Sequence, residues 1–301
     1  MTMSVGTLIL ITRPVLGGSG SDSGPAFVFA DVADPQLSVL DLAATRGDGI
    51  FESIGVSDGR PQALREHLAR LAHSAAMLDL PEPDAAVWTE ALLAGIAAHP
   101  AVPELFAKLV LSRGVEGGSP GADTPTAWIH LGTVEDQSVA RNSGISVITL
   151  DRGYRHDVAQ TSPWLLQGAK TLSYAVNRSA AREAARRGAD DVLFLSSDGF
   201  LLEGPTSNVL LRFGDRIVTP RTDQGILAGT TQTGAFAFFD ACGFETAYEL
   251  VPAGAIGRAD AAWLVSSVRL AAPVRRVDGR PLPVDAELTS RLNSALLART
   301  R

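Results

Sequence analysis

An α+β fold in two lobes, built from antiparallel or mixed sheets with flanking helices, is what the sequence predicts. The length of 301 residues exceeds what one small core needs. Hydrophobic residues at 46% and charged residues at 20% place the chain among globular proteins. Its strand-like runs are joined by tight turns rather than in βαβ alternation, which favours sheets made of hairpins.

Residues 6–12 (GTLILIT) are short and β-branched, without a basic leader or small-residue cleavage site, and read as a strand rather than a signal peptide. Residues 13–25 are rich in Gly, Ser and Pro and read as a loop. Leu64, Leu68, Leu71, Ala75 and Leu78 recur at helical spacing and predict an amphipathic helix within 60–80. Strands follow at 105–112 and 144–150. The polar stretch 151–163 ends in proline and reads as a connection. Lobes are therefore expected at 1–152 and 164–301, with 153–163 between them. Residues 171–187 are alanine-rich and end in arginines before Gly188, a helix stop. Residues 192–195 form a buried strand, Asp198-Gly199 a turn, and 200–202 the return. A second hairpin spans 208–219 and turns at Gly214-Asp215, after which 225–231 lead into a helix over 232–241.

Composition excludes several classes. No apolar run approaches the roughly 18 residues of a membrane span. The net charge of −7 argues against a broad nucleic-acid footprint. The single cysteine, Cys242, rules out an intrachain disulfide framework and fits a cytoplasmic protein. No metal site is expected.

Of the 26 basic residues only Lys108 and Lys170 are lysine. Arginine serves most surface roles of lysine but cannot lose its proton to form a Schiff base. Lys170, in GAKTLSY, reads as opening a helix, whose dipole disfavours the charged amine; a solvated first-turn lysine is the ordinary alternative. Lys108 reads as a strand residue replaceable by arginine, leaving no other amine within reach. Glu203, at a strand end before Gly204-Pro205, is placed to line a pocket or to sit in an exposed turn. Thr230 and Thr231 precede an apolar helix and suit either an anion site or a plain N-cap. Arg70 lies off the apolar stripe of its helix, where it could reach a phosphate or solvent.

The order and spacing of these residues, from about Leu37 to about Gly279, resemble the class IV aminotransferase family. That family includes branched-chain aminotransferases, D-amino-acid aminotransferases and 4-amino-4-deoxychorismate lyases. The stretch 46–53 (RGDGIFES) is similar to its first-lobe signature, and 67–71 (HLARL) to its phosphate-binding helix. The resemblance implies the fold-type IV architecture, pyridoxal 5′-phosphate (PLP) as cofactor, and a homodimer acting on a small amino substrate. It assigns Lys170 as the Schiff-base lysine and Arg70 to the phosphate. Tyr174 takes the phenolate oxygen, Glu203 the pyridine nitrogen, and Thr230 and Thr231 the phosphate clamp. Ser267 stands where several members place a phosphate-contacting threonine. Three positions depart from the pattern: Pro205 replaces a small residue, Thr230 an isoleucine, and Gln232 an arginine or lysine.

Two features of the resemblance favour a lyase that releases pyruvate and leaves 4-aminobenzoate, a folate precursor. The stretches 168–177 and 186–192, with 202–207 (LEGPTS), look more like actinobacterial-type lyases than branched-chain enzymes. Ser53 aligns with the hydroxyl residue that assists proton transfer in the lyases; an inert strand serine is the other reading. Arg113 and Arg269 are candidate carboxylate binders, or structural arginines. A transaminase acting on D-, branched-chain or aromatic amines is the alternative activity.

Overall fold

The structure, a computed structural model, describes residues 6–17, 24–116 and 125–299. Residues 18–23 of the expected 13–25 loop lie outside that set. The chain divides into two compact units. One holds the residues up to Glu135 together with Ala169–Tyr174; the other holds Asp136–Gly168 and Ala175–Arg299.

The first unit contains β1 (Thr7–Ile11), β2 (Phe27–Ala30), α1 (Leu42–Thr45), β3 (Gly49–Ser57), β4 (Arg60–Pro61), α2 (Leu64–Met77), α3 (Ala85–Ala98), β5 (Glu104–Ser112) and β6 (Thr126–Thr133). Its strands form one antiparallel sheet in the order β2-β1-β6-β5-β3-β4. The stripe expected on α2 is buried at Leu68, Leu71 and Ala75, and the helix packs on β3. Asp84 caps α3 by accepting from the N–H groups of Ala86 and Val87. Gly95 lets α3 approach the sheet: a Cβ there would come within 2.6 Å of Ile9 and 2.8 Å of Leu131.

The second unit contains α4 (Ser138–Ser143), β7 (Ile145–Asp151), α5 (Val158–Thr161), α6 (Ala175–Arg186), β8 (Asp191–Leu195), β9 (Asn208–Phe213), β10 (Arg216–Pro220), α7 (Thr230–Ala241), β11 (Glu245–Glu249), β12 (Ala261–Ser266), β13 (Leu270–Val277), β14 (Arg280–Pro281) and α8 (Ala286–Leu297). Its mixed sheet runs β11-β10-β9-β12-β13-β7-β8, with β14 beside β13. The hairpin at Gly214 is present, with Gly214 at φ 58°. β7 pairs in parallel with both β8 and β13, and β10 in parallel with β11. These parallel pairs need helical crossovers, so the second unit is less hairpin-dominated than expected. Trp263, Phe239 and Leu292 pack one apolar cluster, and Leu193, Val209 and Leu264 another.

Two expectations are corrected. The boundary near residue 152 falls inside the second unit, because β7 is a strand of that unit's sheet. Lys170 does not open a helix, since α6 begins only at Ala175. Residues 169–174 instead pair with the first unit's sheet: Thr171 bridges Ile50, Phe51 donates its N–H to the Lys170 carbonyl at 2.9 Å, and Leu172 donates to the Gly49 carbonyl at 2.8 Å. Among the described residues no helix is long and apolar enough to cross a membrane.

Candidate active site

In the first unit the site begins with glycines. Gly47 adopts φ 67°, a left-handed conformation natural to glycine. A Cβ on Gly49 would meet the Leu111 carbonyl oxygen at 2.7 Å and Leu172 at 2.8 Å. These glycines let the extended Lys170 segment lie against β3. The Ser74 hydroxyl on α2 accepts from the Lys170 backbone N–H at 3.1 Å. The Lys170 Nζ then sits over the Phe51 ring, 4.6 Å from its centroid. Tyr174 meets the same ring edge-on, with centroids 5.4 Å apart.

Strand alternation places Phe51 and Ser53 on one face of β3 and Glu52 on the other. Ser53 is half-buried and paired across the ladder with Lys108 on β5. Lys108 also reaches the Phe51 ring, at 4.9 Å. The expectation that no second amine lies near Lys170 therefore fails: the two lysines share one aromatic ring. Sequence periodicity carries no signal for a meeting of Lys170 with Phe51 and Lys108, which stand 119 and 62 positions before it in the chain.

On the opposite face Glu52 is fully buried. It accepts two hydrogen bonds from Arg70, at 2.6 and 2.8 Å, and one from the His67 Nδ1–H at 2.7 Å. Burial alone would raise the Glu52 carboxyl, but the charge and hydrogen bonds of Arg70, joined by His67, hold it well below the carboxylate range. Burial lowers His67, and the charges of Arg70 and Lys170 add to that against the pull of Glu52. Arg70, expected at a phosphate, is thus anchored by Glu52. Arg113 donates to Asp48 at 2.8 Å and to the Leu78 carbonyl at 2.6 Å, tying the RGDG turn to the end of α2.

In the second unit Glu203 follows the return strand, its carbonyl accepting from the Phe194 N–H at 2.9 Å. Its carboxylate accepts from the Leu227 N–H at 3.1 Å and the Asn208 amide at 3.3 Å. Asn208 also donates to the Leu227 carbonyl at 2.8 Å. Gly229 is required beside it, because a Cβ there would lie 1.9 Å from the Asn208 Oδ1. Tyr154 lies within range of Glu203; burial, then that carboxylate, raises the tyrosine against the charge of Arg152. Its hydroxyl donates to Gln167 and accepts from Arg152.

At the N-terminus of α7, Thr230 and Thr231 are buried, and each hydroxyl lies 3.4 Å from that of Ser267. Three hydroxyls and a helix N-terminus suit a phosphate. Gln232, one of the departures, is fully buried and donates to Thr219 at 2.9 Å, so it serves as a strut. Pro205 is buried, and its carbonyl accepts from the Asn177 amide at 2.7 Å, which ties the Glu203 turn to α6. Arg269 donates to Asp191 at 2.7 Å and to Ser207 at 3.4 Å. Sequence reasoning gave no role to Phe51 and Glu52, though both lie in the RGDGIFES stretch, placed Lys108 away from Lys170, and missed Asn208 and Tyr154; the TSN run directly after Glu203 was a cue for Asn208.

Each unit carries donors of the kinds PLP takes: the first an amine held on an aromatic face, the second a carboxylate fixed by an amide and a backbone N–H and a hydroxyl cup at a helix N-terminus. Residues 49–277 match the family model for amino-transferase class IV. The bifunctional aminodeoxychorismate lyase / D-amino acid transaminase of Mycobacterium tuberculosis is 44% identical over 83% of this chain and 88% of its own. A fold IV-transaminase from Curtobacterium pusillum superposes with TM-score 0.92 and 57% identity, covering 98% of this chain and 100% of that one. The PLP-bound form of a hypothetical aminotransferase from M. tuberculosis superposes with TM-score 0.86 and 40% identity, over 98% and 100% of the two chains.

Proposed function

We propose, from the premise that the chain belongs to the class IV aminotransferase family and is a PLP-dependent enzyme, that it cleaves 4-amino-4-deoxychorismate to 4-aminobenzoate and pyruvate. The likeness to the bifunctional mycobacterial protein carries this reading. The placement of Ser53 supports it, on the face of β3 that also presents Phe51 beneath Lys170. Transamination of D-amino acids is the second reading, favoured by the fold IV-transaminase as structural neighbour.

PLP, when bound, supplies an electron sink for charge that develops at the amine-bearing carbon. The protein supplies the rest. Lys170 brings the primary amine and, once released, holds the proton taken from that carbon at its Nζ. The Glu203 carboxylate, aimed by the Leu227 N–H and the Asn208 amide, would hold the proton on the pyridine nitrogen. Thr230, Thr231 and Ser267 would hold the phosphate; the family resemblance adds Arg70 as a phosphate donor and Tyr174 for the phenolate oxygen. Ser53 relays a proton as pyruvate leaves.

The test is PLP-loaded protein incubated with aminodeoxychorismate and no keto acid, with pyruvate and 4-aminobenzoate followed. Release of both is expected. Ser53→Ala should slow it by about 10²-fold or more, and Ser53→Thr should retain much of it. Absence of pyruvate, with amino transfer from D-alanine to 2-oxoglutarate instead, leaves the transaminase reading standing.

A further inference from the structure

The two lysines of the chain meet at one ring. Lys170 Nζ lies 4.6 Å and Lys108 Nζ 4.9 Å from the centroid of Phe51, both within the roughly 6 Å range of cation–π attraction. Two atoms at these distances from one centroid lie less than about 10 Å apart, comparable to the screening length at 0.1 M salt, so like-charge repulsion between the amines is not fully screened. The ring itself is buried and its position fixed: Phe51 is 7% exposed, donates its N–H to the Lys170 carbonyl, and is braced edge-on by Tyr174. Lys108 stands on the neighbouring strand, opposite Ser53 on one side and His130 of β6 on the other.

We propose that Lys108 is a positioning residue for Lys170: its ammonium, held on the same ring, repels a second positive charge and shifts the Lys170 amine toward its neutral, nucleophilic form. The inference rests on the reading of Lys170 as the cofactor-binding amine. A neutral amine is what that role requires, since an ammonium has no lone pair to offer.

The surrounding charges within the first unit favour this assignment. From β3 comes Glu52, on the far face, its carboxylate engaged by Arg70 and His67. From α2 come Arg70 and His67; His67 is lowered first by burial and also by Lys170. From β5 comes Lys108, and from the segment of Lys170 itself Tyr174. His130, opposite Lys108 on β6, is lowered by burial first, then by the charge of Lys108, then by that of His99. Lys108 is exposed and so can carry a fixed positive charge, although partial desolvation draws it below the ordinary lysine value.

With only two lysines in the chain, the test is direct. The full-length protein is labelled with [ε-¹³C]lysine and stripped of PLP. The two side-chain signals are assigned by Lys108→Arg, which removes one of them, and followed with pH. Lys170 is expected to titrate below the ordinary lysine value of about 10.4. Lys108→Met should raise its midpoint by roughly half to one pH unit, the size of a like-charge term at this range. Lys108→Arg should leave it near the wild-type position, since charge and not the amine is what matters. Added salt at about 0.5 M should shrink the difference between wild type and Lys108→Met. In the PLP-loaded protein the pH midpoint of the visible absorbance should move in the same direction. Lys108→Gln, with melting curves for every variant, guards against a folding defect in Lys108→Met.

Three results would overturn the proposal: a wild-type Lys170 titrating at or above the ordinary value, a midpoint unmoved in both neutral variants, or an arginine variant shifted as far as the methionine one. Borohydride reduction and peptide mapping test the cofactor role of Lys170 separately. A reduced adduct absent from Lys170 would sink that role while leaving the coupling between the two amines measurable.

Discussion

In the proposed reaction Lys170 is the residue on which the chemistry turns, and the neighbouring Lys108 makes its test sharper. Lys170→Ala should fold and lose the borohydride-reducible PLP adduct. The lysine-free double variant with Lys108→Arg separates true loss from capture by the second amine. An adduct of wild-type yield at Lys108 in the single variant would remove Lys170 from the centre of the site. Glu203→Gln should keep PLP but lose roughly tenfold or more in turnover, because a charge-assisted hydrogen bond is worth about 1.5–3 kcal/mol. Wild-type turnover would mean that another acid holds the ring nitrogen. The buried group of Glu52, His67 and Arg70 makes the first unit sensitive to acid. His67 is held below its ordinary 6.5, so the unfolded chain takes up a proton that the folded one refuses as pH falls through 6.5. Glu52 is held below its ordinary 4.5, so its contribution is complete above that value and is lost as pH falls toward its depressed folded value. Amide protection in α2, relative to the intrinsic exchange rate, should fall between pH 7 and 5, and His67→Gln should abolish that first stage. An α2 whose protection is flat across this range in the wild type would contradict the assignment. Glu52→Ala should cost about 3–5 kcal/mol by leaving Arg70 uncompensated.

At the scale of elements, the Lys170 segment depends on how closely it lies on β3. Gly49→Ala would press a Cβ against backbone atoms of Leu111 and Ser112 and the side chain of Leu172, all within 2.8 Å. Backbone cannot swing aside as a side-chain tip can, so we expect a loss of about 1–3 kcal/mol in stability and weaker PLP binding. Gly254→Ala, which meets nothing within 4 Å, is the control. Equal melting temperatures for the two variants would show that the close approach does not matter. The start of α7 has a similar test. Thr231→Val and Ser267→Ala each remove one hydroxyl from the cup, and each should weaken PLP by several-fold, from about 0.5–1.5 kcal/mol per hydrogen bond. Dissociation constants from fluorescence titration decide it, and unchanged values for both variants would move the phosphate elsewhere.

For the whole molecule, cofactor binding should appear as stability. A ligand at about a hundred times its dissociation constant adds roughly 2.7 kcal/mol to the folded state. For a unit of 150–250 residues each kcal/mol moves the melting temperature by about 2–4 °C. Removing PLP should therefore lower melting by roughly 5–10 °C, and Lys170→Ala should lose most of that difference. Coincident melting of the stripped and loaded proteins would argue against a built site.

Much of this protein was legible in its residues alone. Leucines at helical spacing located α2, Gly214-Asp215 located a hairpin, and the scarcity of lysine pointed at Lys170. Each of these signals is local: it depends on backbone preference and side-chain period over a few residues, which a single sequence records. The family resemblance added the cofactor and the candidate roles of Glu203, Thr230 and Thr231. What lay beyond reach were meetings between distant segments. The pairing of 169–174 with β3 replaced a predicted helix start with an extended segment bridged at Thr171. Membership of β7 in the second sheet moved the boundary between the units. The ring shared by Lys108 and Lys170, and the anchoring of Arg70 by Glu52, likewise join residues that no periodicity relates. Such contacts are set by which strand finds which partner and by what a glycine leaves room for, and those choices are made only when the whole chain packs.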